Sequence, residues 1–141
     1  VEVVVAVAIE LHDPMMVGEV GYDGRIMNYF IKYDVSYILK STNANSITMV
    51  VWDNEKSKIL INALKEDFYQ VTAEPMAIVC AMGSNIAMPG FLYKATKALY
   101  ENGINVESIA LSLMQVNMQF VIKRECYEDA VVALNNALCK S

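Results

Sequence analysis

The chain has 141 residues, a formal net charge of −5, 55% hydrophobic residues and 19% charged residues. This length accommodates one ordinary domain or two minimal domains of about 70 residues each, and the apolar content excludes a disordered chain. The acidic balance, with 11 Lys and Arg residues in all, argues against a nucleic-acid partner, because such partners are held through their phosphates by basic side chains.

Three further features bound the class of protein. No apolar run approaches the roughly 20 residues of a membrane span, and no signal segment is recognisable, so we expect a cytoplasmic protein without membrane contact. Cys80, Cys126 and Cys139 are too few and too irregular for a disulfide framework or a metal site, so we expect inert thiols and no metal. The chain starts at Val1 within an apolar run and without Met, which leads us to expect a fragment of a longer protein.

The first half predicts the order βαββαβ. The stretch 3–9 is continuously apolar and β-branched, which is typical of a strand buried on both faces. The apolar residues within 22–33 have helical spacing, whereas the side chains of 46–51 alternate as in a strand. Asp53-Asn54 is suited to cap a second helix. Two less regular stretches, 35–40 and 69–72, complete the pattern as strands.

The second half repeats this order. An unbroken apolar strand is predicted over 77–82, and Pro89 is suited to the first turn of the helix that follows. Gly103 marks the end of that helix. Strands are then predicted over 106–113 and 117–122, and a final helix over 127–138.

Corresponding residues of the two halves lie 69 positions apart up to the second strand of each half, and the third strands, 46–51 and 117–122, are related by a spacing of 71. A duplicated unit explains both spacings. We therefore predict an α+β protein with two ferredoxin-like βαββαβ domains, residues 1–74 and 75–141, each an antiparallel sheet with helices on one face. The apolar central strands further indicate that sheets pair, between the repeats or between chains.

The chemical inventory favours binding over catalysis. His12 is the sole histidine, and no nucleophile or carboxylate stands at a recognised spacing from it. The glycine-rich loop 18–24 lacks the lysine and the register of a nucleotide-binding loop. Both loops that precede the first helix of a repeat lead into a helix N-terminus, which attracts a carboxylate. The turns 34–36 and 103–105 lead to a strand edge whose backbone could hold an amino acid, or their polar side chains merely satisfy the turn.

Specific motifs add a family resemblance. Cys80-Ala81-Met82-Gly83-Ser84-Asn85, Pro89-Gly90 and Gly103-Ile104-Asn105-Val106-Glu107-Ser108-Ile109 closely resemble the second of two tandem ACT domains in aspartate kinases. Tyr33-Asp34-Val35-Ser36 and Thr42-Asn43-Ala44-Asn45-Ser46-Ile47 resemble the first of these domains. The resemblance covers essentially the whole chain.

The resemblance implies a C-terminal regulatory region. Aspartate kinases use ATP, with Mg²⁺, to phosphorylate the β-carboxylate of aspartate, and their catalytic segments lie in an N-terminal kinase domain. The present chain would then be non-catalytic and free of cofactors. It would bind an end-product amino acid at an ACT–ACT interface, dimerise through its ACT domains and shift the kinase domain between active and inhibited states.

The resemblance also assigns effector-binding positions. Backbone groups of Tyr22 and Asp23 would hold the effector carboxylate, and those of Ser36 and Ile38 its ammonium group. Many lysine-sensitive relatives have Asp at the position of Ile38, so this residue favours threonine over lysine as the effector, or a subtype with little feedback inhibition. The complete set comprises Met16, Glu19, Gly21, Tyr22, Asp23, Ser36, Tyr37 and Ile38 in the first repeat, and Ser84, Asn85, Pro89, Gly90, Asn105 and Val106 in the second.

Two other functions remain open. A dimerisation module without a ligand shares the fold and lacks only stabilisation by an effector. A small ferredoxin-like hydrolase would use the stretch 21–25 to cradle a phosphate group, with Arg25 supplying the positive charge.

Overall fold

The computed structural model describes residues 1–14, 20–42, 45–82, 89–112 and 117–139. They form an α+β fold whose strands pair in antiparallel fashion. The elements are β1 (Glu2–His12), α1 (Tyr22–Lys32), β2 (Leu39–Thr42), β3 (Ser46–Trp52), α2 (Glu55–Asp67), β4 (Val71–Met82), α3 (Phe91–Glu101), β5 (Ser108–Ser112), β6 (Asn117–Lys123) and α4 (Tyr127–Leu134).

The chain divides into two compact units. The first comprises Ala6–Pro75, with the strand order β2-β3-β1-β4. Its helices α1 and α2 pack on one face of these strands. Alternate residues of β1 and β3 meet the apolar stripes of the two helices in a core that includes Ile9, Leu11, Ile26, Phe30, Ile47, Met49, Val51, Leu60 and Leu64.

The second unit comprises Val1–Val5 together with Met76–Ser141. Its strand order is β1-β4-β6-β5, so the first residues of the chain supply a strand to the second repeat. The helices α3 and α4 cover one face here as well. The core of this unit includes Ala77, Val79, Ala81, Ala95, Leu99, Met118, Phe120, Ile122, Ala130 and Leu134.

The second-unit strand β4 is buried on both faces, as its unbroken apolar sequence predicts. Ala77 and Val79 face the helices, and Ile78 between them is equally inaccessible to solvent. The corresponding prediction for β1 is wrong at Val5, which is 49% exposed. This strand also extends to Glu2 and His12, beyond the predicted stretch 3–9.

Two predicted strands have different boundaries. Extended structure was predicted from Val35, but β2 starts at Leu39, because the residues before it form a turn and a bulge. The predicted strands 69–72 and 77–82 are one strand, β4, which passes through Pro75. Proline is tolerated there because pairing with β6 begins only at Met76, so no hydrogen bond from residue 75 to β6 is required.

The remaining boundaries agree closely with the sequence patterns. The helix predicted over 22–33 is α1, and Asn54 caps α2 as expected. The predicted strand 106–113 is reduced to β5, while β6 covers 117–122. The final helix is α-helical only to Leu134 and continues as a π-helix over Asn135–Cys139. Residues 43–44, between β2 and β3, and residues 113–116, between β5 and β6, lie outside the described residues.

No helix in the described ranges is both long and apolar enough to cross a membrane.

Ser57 of α2 is a buried polar residue within the first unit. The residue is only 1% exposed, and its Oγ has no hydrogen-bond partner among the described residues. Its backbone N–H donates to Oδ1 of Asn54 at 2.9 Å, and alanine at position 57 would keep that bond. The hydroxyl therefore carries a desolvation cost without a compensating bond.

We predict that Ser57→Ala is neutral or stabilises the protein by up to about 1 kcal/mol, because it removes an unsatisfied hydroxyl and improves helix propensity. Asn54→Ala, three residues earlier, should instead cost about 1 kcal/mol through loss of the helix cap. Urea unfolding at pH 7 measures both. A clear destabilisation by Ser57→Ala would show that the hydroxyl has a partner in solution.

Candidate functional site

A left-handed glycine precedes the first helix of each unit. Gly21 has φ +86° and caps α1, whose first hydrogen bond runs from Arg25 N–H to the Gly21 carbonyl at 3.1 Å. Gly90 has φ +93° and caps α3 in the same way, accepting from Lys94 N–H at 2.9 Å. The first N–H groups of a helix have no partner within it. Each unit therefore presents a helix N-terminus of the kind that binds carboxylates.

The side chains at the start of α1 are engaged within the first unit. Tyr22 is buried, and its hydroxyl donates to Oδ2 of Asp13 at 3.1 Å. The carboxylate of Asp23 pairs with Nζ of Lys40 on β2 at 2.5 Å. This ion pair links the helix N-terminus to the edge strand. Both side chains are therefore already engaged, whereas the backbone N–H groups of this first turn have no partner within the helix.

The turn after α1 is a Schellman motif. Val35 N–H donates to the Phe30 carbonyl at 3.0 Å, and Asp34 N–H donates to the Ile31 carbonyl at 3.2 Å, which is the bond pattern of this motif. Asp34 occupies the left-handed position with φ 57°, a conformation that aspartate tolerates better than most residues.

Asp34 is also an ion-pair partner. Its Oδ2 accepts from Nζ of Lys56 on α2 at 2.6 Å. This hydrogen bond and the charge of Lys56 lower the pKa of the Asp34 carboxyl. Asp34 is a carboxylate at neutral pH, as aspartate ordinarily is, and its charge is paired with that of Lys56.

The edge strand β2 begins with a bulge. Ile38 N–H donates to the Val50 carbonyl at 2.7 Å, while Leu39 is the residue that pairs with Val50 in the ladder. Two residues thus oppose one, as in a β-bulge, and bulges often occur at sheet edges and beside functional sites. The N–H of Ile38 is engaged in this bond, and an effector's ammonium group, which can only donate, would bind the Ile38 carbonyl oxygen.

An open groove of about 770 Å³ lies beside this turn. Ser36 and Tyr37, both predicted effector residues, contribute to it. Its apolar wall comes from one side of α1 and from Val35, and Asp34 lies at its polar side. The described lining comprises Met27, Phe30, Ile31, Asp34, Val35, Ser36 and Tyr37.

The second unit repeats the backbone of this region. Ile104 N–H donates to the Leu99 carbonyl at 2.9 Å, and Gly103 N–H donates to the Tyr100 carbonyl at 3.0 Å. Gly103 has φ 71°, which confirms it as the helix stop predicted from sequence. The matched bulge is present too, with Glu107 N–H donating to the carbonyl opposite at 2.8 Å.

Its side chains differ from those of the first unit. Leu92 stands where the first unit has Asp23, and Ile109 stands where it has Lys40. Among the predicted second-repeat residues, Pro89, Gly90 and Asn105 are exposed, and Val106 is half-buried against the core. At these two matched places the second unit thus has apolar rather than charged side chains.

The structure brings only part of the predicted set together. Gly21, Tyr22 and Asp23 are joined to the edge strand through Lys40, and Ser36 and Tyr37 share the groove. Met16, Glu19, Ser84 and Asn85 lie outside the described residues. The binding role of the whole set stays a prediction.

Sequence reasoning missed three residues of this region. They are Asp34, which lines the groove, Lys40, which pairs with Asp23, and Lys56, which pairs with Asp34. Asp34 had a usable signal, because it lies 69 positions before the helix-stopping Gly103. The two lysines had none, since their partners are 17 and 22 positions away in the chain.

The other residues with reactive side chains, Arg25, His12, Cys80 and Cys126, pack against neighbouring residues or are at least half-buried. The guanidinium of Arg25 lies 5.4 Å from the ring centroid of Tyr22 and 5.5 Å from that of Phe68, a cation–π arrangement. His12 is half-buried at the end of β1. Cys80 is buried, and this burial raises the pKa of its thiol, which makes it a poor nucleophile. Cys126 is half-buried.

Comparison with known proteins shows which proteins this chain resembles. Residues 79–138 match the ACT domain family model. Over 133 residues, or 92% of its length, the chain is 37% identical to aspartate kinase Ask_Ect of Stutzerimonas stutzeri. The chain is an ACT-domain relative of the aspartate kinases. It spans only 28% of the length of that kinase.

Solved structures share the fold of this ACT relative. The regulatory subunit of aspartate kinase from Thermus flavus superposes with a TM-score of 0.82 at 18% identity, covering 96% of this chain and 95% of that one. Clostridium acetobutylicum aspartate kinase, described as an allosteric enzyme, superposes with a TM-score of 0.83 at 22% identity, covering 96% of this chain and 33% of that one.

The glycine cap of α1 offers a matched pair of substitutions. We predict that Gly21→Ala costs about 1–2 kcal/mol, because alanine is strained at positive φ, although nothing lies within 4 Å of an added Cβ. Gly24→Ala, inside the same helix and equally open, should stabilise by about 0.5–1 kcal/mol. Chemical denaturation measures both. Equal effects of the two substitutions would contradict the left-handed cap.

Proposed function

We propose that this chain is the regulatory, amino-acid-binding region of an aspartate kinase, in which an end-product amino acid bound by the ACT domains controls the kinase domain. The observation that carries the proposal is the duplicated backbone frame. In each unit a left-handed glycine precedes the first helix, and a Schellman turn followed by a bulge leads from the end of that helix into an edge strand.

The frame suits the two charged ends of an amino acid. The N–H groups at the start of α1 attract a carboxylate through the positive end of the helix dipole. Carbonyl groups at the start of the edge strand could accept from an ammonium group. The ion pair of Asp23 with Lys40 joins the first turn of α1 to β2, and so helps to fix the distance between these N–H and carbonyl groups.

We assign effector binding to the first unit. The polar groups Asp34, Lys40 and Lys56 surround its frame, whereas the second unit has Leu92 and Ile109 at the matched places of the Asp23–Lys40 pair. Met16 and Glu19 belong to this proposed site, and Ser84, Asn85, Pro89, Gly90, Asn105 and Val106 form its counterpart in the second unit.

Threonine is the first effector to test, and lysine the second. Among the described residues that line the groove, Asp34 alone is acidic, and its charge is already balanced by Lys56. A ligand with an uncharged side chain needs no countercharge, whereas the distal amine of lysine would have to compete with Lys56.

The rest of the proposal follows from the relatives. The parent protein would be a cytoplasmic kinase that transfers phosphate from ATP, with Mg²⁺, to L-aspartate, and its kinase domain would be the partner of this region. The two ACT domains would be residues 1–74 and 75–141, with the first five residues completing the second, and the region would act as a homodimer.

Thermal unfolding of the chain with threonine, lysine, methionine or aspartate tests the proposal. A ligand that binds only the folded state at one hundred times its Kd stabilises that state by about 2.7 kcal/mol, so one of these amino acids should raise the midpoint. The D-enantiomer serves as the control. We expect Tyr37→Ala, at the groove, to diminish the shift, and Val106→Ala, its counterpart, to preserve it.

The two alternatives have distinct outcomes. No shift with any amino acid would favour a ligand-free dimerisation module. Hydrolysis of an acyl phosphate, abolished by Arg25→Ala, would indicate a hydrolase instead. The position of the Arg25 guanidinium over two aromatic rings disfavours that activity.

A further inference from the structure

An ion pair joins the effector groove of the first unit to the helix α2. Asp34 lines the groove, and its Oδ2 accepts from Nζ of Lys56 at 2.6 Å. No other acidic residue is among the described residues that line the groove. The one carboxylate of this described lining is therefore occupied by an ammonium group of the protein itself.

This ion pair contributes little to the stability of the fold. The side chains of Asp34 and Lys56 are 84% and 62% exposed, and ion pairs between exposed side chains add little to the free energy of unfolding. Lys56 also lies in the first turn of α2, where the positive end of the helix dipole disfavours a cation. The position of Lys56 is thus explained better by its effect on Asp34 than by a contribution to folding.

The rest of the groove lining is mostly apolar. One wall comes from α1 and the turn after it, and comprises Met27, Phe30, Ile31 and Val35. The ring of Tyr37 adjoins this wall, with its centroid 6.4 Å from that of Phe30 in an edge-to-face arrangement. An aliphatic side chain that lies against these residues would bury apolar surface. The groove thus suits the hydrocarbon part of an amino-acid side chain.

Asp34 lies within reach of the far end of such a side chain. It comes two residues before Ser36, whose backbone is proposed to bind the effector's ammonium group, and two residues of chain span at most about 7 Å. The side chain of lysine carries its second ammonium group on a flexible four-carbon stem. A lysine bound at Ser36 could therefore bring that ammonium group to Asp34, where it would compete with Lys56.

We propose that Lys56 is the specificity-determining residue of this groove, because by pairing with Asp34 it excludes amino acids with a cationic side chain and leaves the groove to uncharged aliphatic ones. The inference rests on the proposed function in assuming that an amino acid binds here, and it adds the residue that selects the class of ligand. Without the charge of Lys56, the Asp34 carboxylate would accept a charge-assisted hydrogen bond from the ligand's distal ammonium group.

Two ligands that differ only in the distal ammonium group test this proposal. Norleucine has the four-carbon side chain of lysine without its amine, so the ratio of the two affinities isolates the effect of that charge. We expect the parent chain to bind norleucine more tightly than lysine in isothermal titration calorimetry at low ionic strength, where exposed charges are least screened. In Lys56→Met the affinity for lysine relative to norleucine should rise by about two- to fivefold, the range expected for an exposed ion pair.

Matched variants separate this role from a general change in charge. Lys58→Met removes a charge from the same helix, where the Lys58 side chain is also 62% exposed and pairs with Glu55 of α2 itself, so the affinity ratio should stay as in the parent chain. Adding Asp34→Asn to Lys56→Met should remove the gain for lysine, because the carboxylate that binds the distal ammonium group is then gone. Circular dichroism shows whether each variant folds.

The outcomes are separate from those of the proposed function. An unchanged affinity ratio in Lys56→Met, an equal rise in Lys58→Met, or a parent chain that prefers lysine to norleucine would overturn the role of Lys56 and leave effector binding in place. A parent chain that binds none of norleucine, lysine, threonine and methionine would reject the proposed function, and the role of Lys56 with it.

Discussion

The turn that ends the first helix of each unit is the constraint on which the candidate site depends. Its Schellman bonds, from Val35 to Phe30 and from Ile104 to Leu99, fix the direction in which the chain leaves the helix. The bulge that follows, at Ile38 in the first unit, fixes where the edge strand begins. Because these are backbone interactions, the side chains around them can change without altering the frame.

The two units illustrate that freedom. The first surrounds the frame with ion pairs, Asp23 with Lys40 and Asp34 with Lys56. The second replaces the first of these pairs by Leu92 and Ile109 and presents an apolar edge. A polar frame suits a charged small molecule, whereas an apolar edge strand suits another strand. The polar surroundings of the first frame are the reason that the proposed effector site is assigned to the first unit.

Much of the fold could be predicted from the sequence, because local patterns determine it. The helical stripe from Tyr22, the cap at Asn54 and the helix stop at Gly103 are short-range signals, and the structure confirms each. The continuous strand through Pro75 could not be predicted, because its continuity depends on pairing partners distant in sequence. The ion pairs Lys40–Asp23 and Lys56–Asp34 were missed for the same reason, because each joins residues that are distant in the sequence.

The central claim is that the first unit binds the effector and the second does not. Amide chemical shifts of the ¹⁵N-labelled chain, followed during titration with threonine and then lysine, test it most directly. The account predicts saturable shifts for the amides of Asp23 and residues 34–38, with little change at the matched Leu92 and residues 103–107. Shifts concentrated in the second unit, or none with any aspartate-derived amino acid, would contradict it.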